Sequence, residues 1–256
     1  MIERKANGIA YIAGDWPLAL RKSTLIFIHG AGGSGLFWQA QVEGLAARAN
    51  TLAIDLPGHG NSDEGGMDRV EDYARIVARF IRDVDMPNPI ACGLSMGGAI
   101  TQQLMIEYPD LLKAGILIGT GSRLKVAPVI FEMIEKDFAN YVDMIGRLGA
   151  SEKTDPKLLA PFKQEAARCN PEIVHGDFRA CNRFDVADRL VAIDVPVLVV
   201  SAEDDKLTPT KYGIALAQGI KNATRSHIMD AGHIVPMEKP DDVNQAILQF
   251  LDQTGL

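Results

Sequence analysis

Five short runs of uninterrupted apolar residues, separated by stretches of helical periodicity, constrain this chain more than any other feature. They are Thr24–Ile28, 51–54, 89–92, Ala114–Ile118 and 195–200, with a weaker sixth at 224–229. A strand without polar alternation is one covered on both faces. Between the runs, Val70, Tyr73, Val77, Phe80 and Ile81 recur at three- and four-residue spacing and make one apolar stripe. Val243, Ile247, Phe250 and Leu251 do the same near the C-terminus, with Pro240 placed to start that helix. Strand and helix alternating in this way predict parallel strands joined by crossover helices. The stretch around Ile9 to Ile12 reads as an antiparallel edge.

The alternation fails between residues 122 and 190. Amphipathic helical stretches and Pro128, Pro156, Pro161 and Pro171 fill this segment, and no buried strand is evident. It reads as a helical insertion that lies over the sheet as a lid. The expected organisation is therefore a core of residues 1–121 and 191–256, interrupted by a cap at 122–190.

Composition removes several classes of function. The 256 residues carry a net charge of −7, so no basic surplus exists to neutralise nucleic-acid phosphates. No apolar run is long enough to cross a membrane, and the first residues lack the apolar core of a signal peptide. Cys92, Cys169 and Cys181 are too few and too scattered for a disulfide framework or a zinc site, and they point to the reducing cytosol. No metal cluster is evident and no cofactor is implied.

The sharpest local signal is Gly93-Leu94-Ser95-Met96-Gly97, followed by Gly98. It fits G-x-S-x-G, with a buried strand before it and a helical pattern after it, as a nucleophile elbow requires. Otherwise Ser95 would merely cap a helix beside a glycine-rich turn. A serine hydroxyl is a weak nucleophile at neutral pH and needs a base within hydrogen-bond reach. Of five histidines, His29 belongs to the first loop and His59 to a tight turn. His175 lies in the insertion, and His227 sits inside the last strand as a packed side chain. His233 stands just past that strand, and the C-terminal ends of parallel strands share one edge. It is therefore the histidine placed to meet Ser95.

The base in turn needs a carboxylate to hold its tautomer. Glu203-Asp204-Asp205 follows the fifth strong run, with Asp205 preferred and Asp204 as the alternative. The loop after the preceding run, Gly119-Thr120-Gly121, offers no acid. Acyl transfer also develops an oxyanion, for which one backbone donor supplies about 2.7–4 kcal/mol. The amides of Met96 and Ala31, the latter within His29-Gly30-Ala31-Gly32, are the candidates.

With these residues in place the chain resembles the α/β-hydrolase fold superfamily, in its bacterial single-domain form with a helical cap. The likeness runs from His29-Gly30 through Asp55-Leu56-Pro57-Gly58-His59-Gly60-Asn61-Ser62 and the serine motif. It continues through Ala202-Glu203-Asp204-Asp205-Lys206-Leu207-Thr208-Pro209 to Gly232-His233 and Glu238-Lys239-Pro240. The pattern departs at Ala202, where such proteins carry a glycine. The resemblance implies a mostly parallel sheet with flanking helices, and a structural turn at His59 with no catalytic role.

The expected function is hydrolysis of a small-molecule ester or related acyl bond through Ser95, His233 and Asp205. The same three residues would equally serve C–C hydrolysis of ring-fission products. A ligand-sensing receptor on the same fold is the alternative of another class. Phe131, Met133, Ile134, Phe138, Met144 and Ile145 would line an acyl pocket or form the cap's own core. Arg123 and Lys125 stand at its entrance, where they would face an acidic substrate or simply solvent.

Overall fold

The computed structural model describes residues 1–63 and 65–256. Eight strands form one sheet: β1 (Ile2–Ala6), β2 (Ile9–Ala13), β3 (Thr24–Ile28), β4 (Asn50–Ile54), β5 (Pro89–Leu94), β6 (Ala114–Ile118), β7 (Val197–Ala202) and β8 (Ala223–Ile228). Their order across the sheet is β1-β2-β4-β3-β5-β6-β7-β8. From β4 through β8 every neighbouring pair is parallel, while β2 runs antiparallel to both β1 and β4. The antiparallel element is thus a hairpin, and the solvent-facing β1 is the strand that hydropathy does not reveal.

The unbroken apolarity of β3 follows from its place in the middle. Ile26 and Ile28 enter one core with Val70, Tyr73, Val77, Phe80 and Ile81 of α2 (Val70–Asp83). An earlier helix, α1 (Gln39–Leu45), covers the opposite face. There Leu25 and Phe27 join Val42 and Leu45 of that helix. Five further helices lie between β5 and β7: α3 (Met96–Glu107), α4 (Pro128–Lys136), α5 (Phe138–Gly149), α6 (Pro156–Arg168) and α7 (Pro171–Arg183). After β7 come α8 (Thr210–Gly219), the single turn α9 (Val235–Glu238) and α10 (Pro240–Thr254). Val243, Ile247, Phe250 and Leu251 of α10 pack into the second core.

Helices α4 to α7 make up the insertion between β6 and β7. Pro128, Pro156 and Pro171 stand at the first positions of α4, α6 and α7, where a missing N–H costs nothing. Asp137, Asp155 and Asn170 cap α5, α6 and α7 through their side-chain oxygens. The two ends of the insertion meet at its base, where Arg123 bridges to Asp185 and the Val186 amide donates to Ser122 O. Among the described residues no helix is long and apolar enough to cross a membrane.

β8 differs from the other parallel strands. As the sheet's edge it exposes Thr224, Arg225 and His227, which correct the expectation that His227 packs inside.

Candidate active site

Ser95 occupies the one-residue turn between β5 and α3, with φ 55° and ψ −115°. This is backbone that a residue with a Cβ adopts only where its surroundings enforce it. Here the Ser95 amide donates to Ile118 O at 3.0 Å, and its carbonyl accepts from Ala99 N and from Thr120 Oγ1 at 2.8 Å. The flanking glycines permit the bend: a Cβ at Gly93 would collide with the Gly97 carbonyl, and one at Gly97 with Ile28 O.

His233 follows β8 and is buried. Its Nδ1 lies 2.9 Å from Asp205 Oδ2. Asp205 Oδ1 accepts the amides of Leu207 and Thr208 at 2.9 and 2.8 Å, and Thr208 Oγ1 donates to Oδ2 at 2.8 Å. Burial alone would push the Asp205 carboxyl up, but His233 and these donors outweigh it and hold it below the ordinary range. With Nδ1–H directed at Asp205, Nε2 is left as an acceptor.

The neighbouring acids are engaged elsewhere. Asp204 Oδ2 accepts from Ser151 Oγ at 2.5 Å, and Glu203 accepts the Asp230 amide. Two partners were not evident from sequence. Thr208 completes the hydrogen bonding of Asp205, and its Asx-like spacing three residues on was the available signal. Glu238 accepts the amides of Gly232 and Ser151 at 2.9 and 2.8 Å, bracing the His233 loop against the insertion.

Ser95, His233 and Ala31 line one cavity of about 380 Å³. Its walls are mainly apolar, with Met144, Ile145, Leu148 and Phe162 from the insertion. Among the described residues no hydrogen bond links Ser95 Oγ to His233, as is common in sites without substrate. Neither Ala31 N–H nor Met96 N–H has a protein acceptor among the described residues.

Phe131, Met133, Ile134 and Phe138 do not line this cavity, so only Met144 and Ile145 of the six pocket candidates do. Ile134, Met133 and Phe138 belong to the insertion's own core, and Phe131 packs edge-on to His175. Lys125 lines the cavity, whereas Arg123 is paired with Asp185 at 2.6 Å. A second cavity, of about 600 Å³, is more polar; Asp55, Asn61 and Arg168 line it, and Ser95 and His233 do not.

Three of the other four histidines are occupied. His29 Nδ1 donates to Gly30 O at 2.8 Å, Nε2 accepts the Leu56 amide, and burial lowers the ring to about 3. His59 pairs with Asp177 and His175 with Glu135. Among the described residues no group of three histidine, cysteine or acidic side chains is placed to hold a metal ion.

The fold agrees with the comparisons. The chain belongs to the alpha/beta hydrolase family, whose pattern matches residues 25–246. It is 30% identical over 248 residues to the Mycobacterium tuberculosis protein BpoC, whose name places it provisionally among non-heme bromoperoxidases, covering 88% of this chain and 92% of that one. It is 28% identical to the 2-hydroxy-6-oxo-6-phenylhexa-2,4-dienoate hydrolase of Comamonas testosteroni, over 90% of this chain and 87% of that protein. Among solved structures, a thermophilic esterase superposes with a TM-score of 0.85 at 28% identity, covering 99% and 98% of the two chains.

Proposed function

We propose that this protein is a serine hydrolase that cleaves a carboxylic ester, or a related acyl bond, of a small molecule through an acyl-enzyme. The observation that carries the reading is the state of His233: Nδ1 is tied to Asp205 at 2.9 Å, and the ring lines the cavity that Ser95 also lines. Ser95 Oγ attacks the carbonyl carbon while His233 Nε2 takes its proton. Asp205 holds the ring and balances the imidazolium. The N–H groups of Ala31 and Met96, without an acceptor among the described residues, receive the oxyanion. His233 then gives the proton to the departing alcohol oxygen as the carbon–oxygen bond breaks. Water attacks the acyl-serine by the same route and frees the acid.

In this reading residues 122–190 are a cap whose apolar side chains receive the acyl group. The three unpaired cysteines fit a reducing compartment such as the cytosol.

A fluorophosphonate probe tests the nucleophile. It should label the wild type and leave Ser95→Ala unlabelled; equal labelling of both overturns the assignment. A panel of p-nitrophenyl esters of increasing acyl length, beside dienoate ring-fission products and acyl-CoA thioesters, tests the bond cleaved. The dienoates belong there because of the Comamonas relative's named activity. Ester turnover should exceed both by at least tenfold in kcat/KM, and a reversed ranking would replace the ester reading with the better substrate's class.

A further inference from the structure

A second carboxylate–imidazole pair is buried away from the cavity, and it spans the insertion and the core. Asp177 on α7 has no exposed surface. Its Oδ1 accepts from Tyr73 Oη at 2.6 Å, and its Oδ2 from the Gly32 amide at 2.9 Å and from His59 Nε2 at 2.8 Å. His59 Nδ1 faces Pro57 O at 3.1 Å. Both ring nitrogens therefore face acceptors, an arrangement that favours the imidazolium, and Asp177 with the other neighbours raises the ring's pKa despite its burial. All three donors to Asp177 come from the core, while the acceptor comes from the insertion.

One of those donors adjoins the oxyanion loop, since Gly32 is the residue after Ala31. The insertion grips Gly32 on three sides. Asp177 takes its N–H, Cys169 Sγ donates to its carbonyl at 3.2 Å, and Val174 packs where a side chain would stand. With φ +64° and a Cβ that would come within 3.3 Å of Val174, only glycine fits comfortably here. Burial pushes the Cys169 thiol up to about 12, so it stays a donor.

Peptide units are rigid planes, so a hydrogen bond to one end of a unit orients the other. The Gly30–Ala31 unit, which carries the Ala31 N–H, is held through Gly30 O by His29 Nδ1 and by the Gly33 amide at 3.1 Å. The next unit, Ala31–Gly32, is held through the Gly32 N–H by Asp177. The one after is held through Gly32 O by Cys169. Three successive planes are thereby fixed, and the middle one depends on the insertion's carboxylate.

We propose that Asp177 is a positioning residue of the hydrolase: by fixing the peptide after Ala31, it restricts rotation at the Ala31 Cα and so helps keep the preceding unit, which His29 and the Gly33 amide hold, with its Ala31 N–H toward the carbonyl oxygen being attacked. The inference rests on the serine-hydrolase reading above. It adds that the insertion organises the oxyanion loop besides covering the site.

The test compares Asp177→Ala with Asp177→Asn. In the amide, Oδ1 can still accept the Gly32 N–H, with Tyr73 Oη turned to accept from the amide nitrogen. Hydrolysis of p-nitrophenyl butyrate and hydrogen exchange at the Gly32 amide are measured together. Asp177→Ala should exchange Gly32 faster and lose about 10–100-fold in kcat with KM within threefold, because the lost contact acts on the transition state. Asp177→Asn should recover most of both. Faster exchange with unchanged kcat overturns the inference and leaves the hydrolase reading standing, as does an asparagine variant no better than alanine. Turnover that survives Ser95→Ala overturns both. If Asp177→Ala does not fold, Cys169→Ala takes its place, with faster Gly32 exchange and a severalfold loss of kcat expected; unchanged kcat there also counts against it.

Discussion

Asp205–His233 and Asp177–His59 pair the same two functional groups, at 2.9 and 2.8 Å, both in buried surroundings. In the first pair one ring nitrogen is held and the ring lines a cavity with a serine. In the second both nitrogens face acceptors, Asp177 Oδ2 and Pro57 O. The difference lies in the nitrogen left without a partner: on the proposed reading that nitrogen makes His233 a base, whereas His59, held at both nitrogens, serves as a tie. It also separates what loss of each imidazole should do, to turnover for His233 and to folding for His59.

The largest effect expected is on rate. His233→Ala should lower kcat by about 10⁴–10⁶-fold. Thermal denaturation should be nearly unmoved; a comparable loss of stability would blur the contrast. His59→Leu should do the reverse. It leaves Asp177 without its cation and should cost about 3–5 kcal/mol in urea denaturation. The kcat of the folded fraction should stay within about threefold, because Asp177 still holds Gly32.

Gly119→Ala probes the clearance of the first pair. Gly119 has φ +49°, and a Cβ there would lie 3.3 Å from both Asp205 Oδ2 and His233 Nδ1. A loss of about 100-fold in kcat is expected from displacing the ring, with full activity the result that would refute the geometry.

The smallest effect is in pH. His29 is buried neutral, its pKa lowered from 6.5 to about 3, so the unfolded chain binds the proton more readily. Stability should therefore fall as pH drops below 6.5, by about 2 kcal/mol between pH 7 and 5 from this residue. His29→Gln should flatten that slope in urea titrations. His59 has the opposite sign. Burial lowers its pKa, but Asp177 and the other acceptors raise it more, to a net value above 6.5. Its contribution is complete below 6.5 and fades as pH rises through the higher folded value. His59→Leu should lack that alkaline decline.

The strands were legible wherever a run was covered on both faces. β3 and β6 have the expected bounds, and β4, β5 and β7 shift by at most two residues at either end. β1 and β8 were weak or silent because an edge strand has no need of apolar side chains on both faces. Ser95, Asp205 and His233 could be singled out as candidates because each stands past a strand's C-terminal end in a short, distinctive motif. Asp177 could not. It sits in mid-helix among ordinary residues, and its three donors are remote in sequence, so only tertiary structure brings them together. The same limit affected the insertion's apolar residues, since periodicity cannot say which side of a helix faces its neighbours and which faces a cavity.

The two ends of the insertion join side by side at Ser122 and Val186. A chimaera that exchanged everything between them could keep the sheet and all three rim residues. Such a graft would nonetheless have to bring an acceptor of its own for the Gly32 amide. Without one, on the proposed reading, a new specificity would come at the expense of the oxyanion loop beneath it.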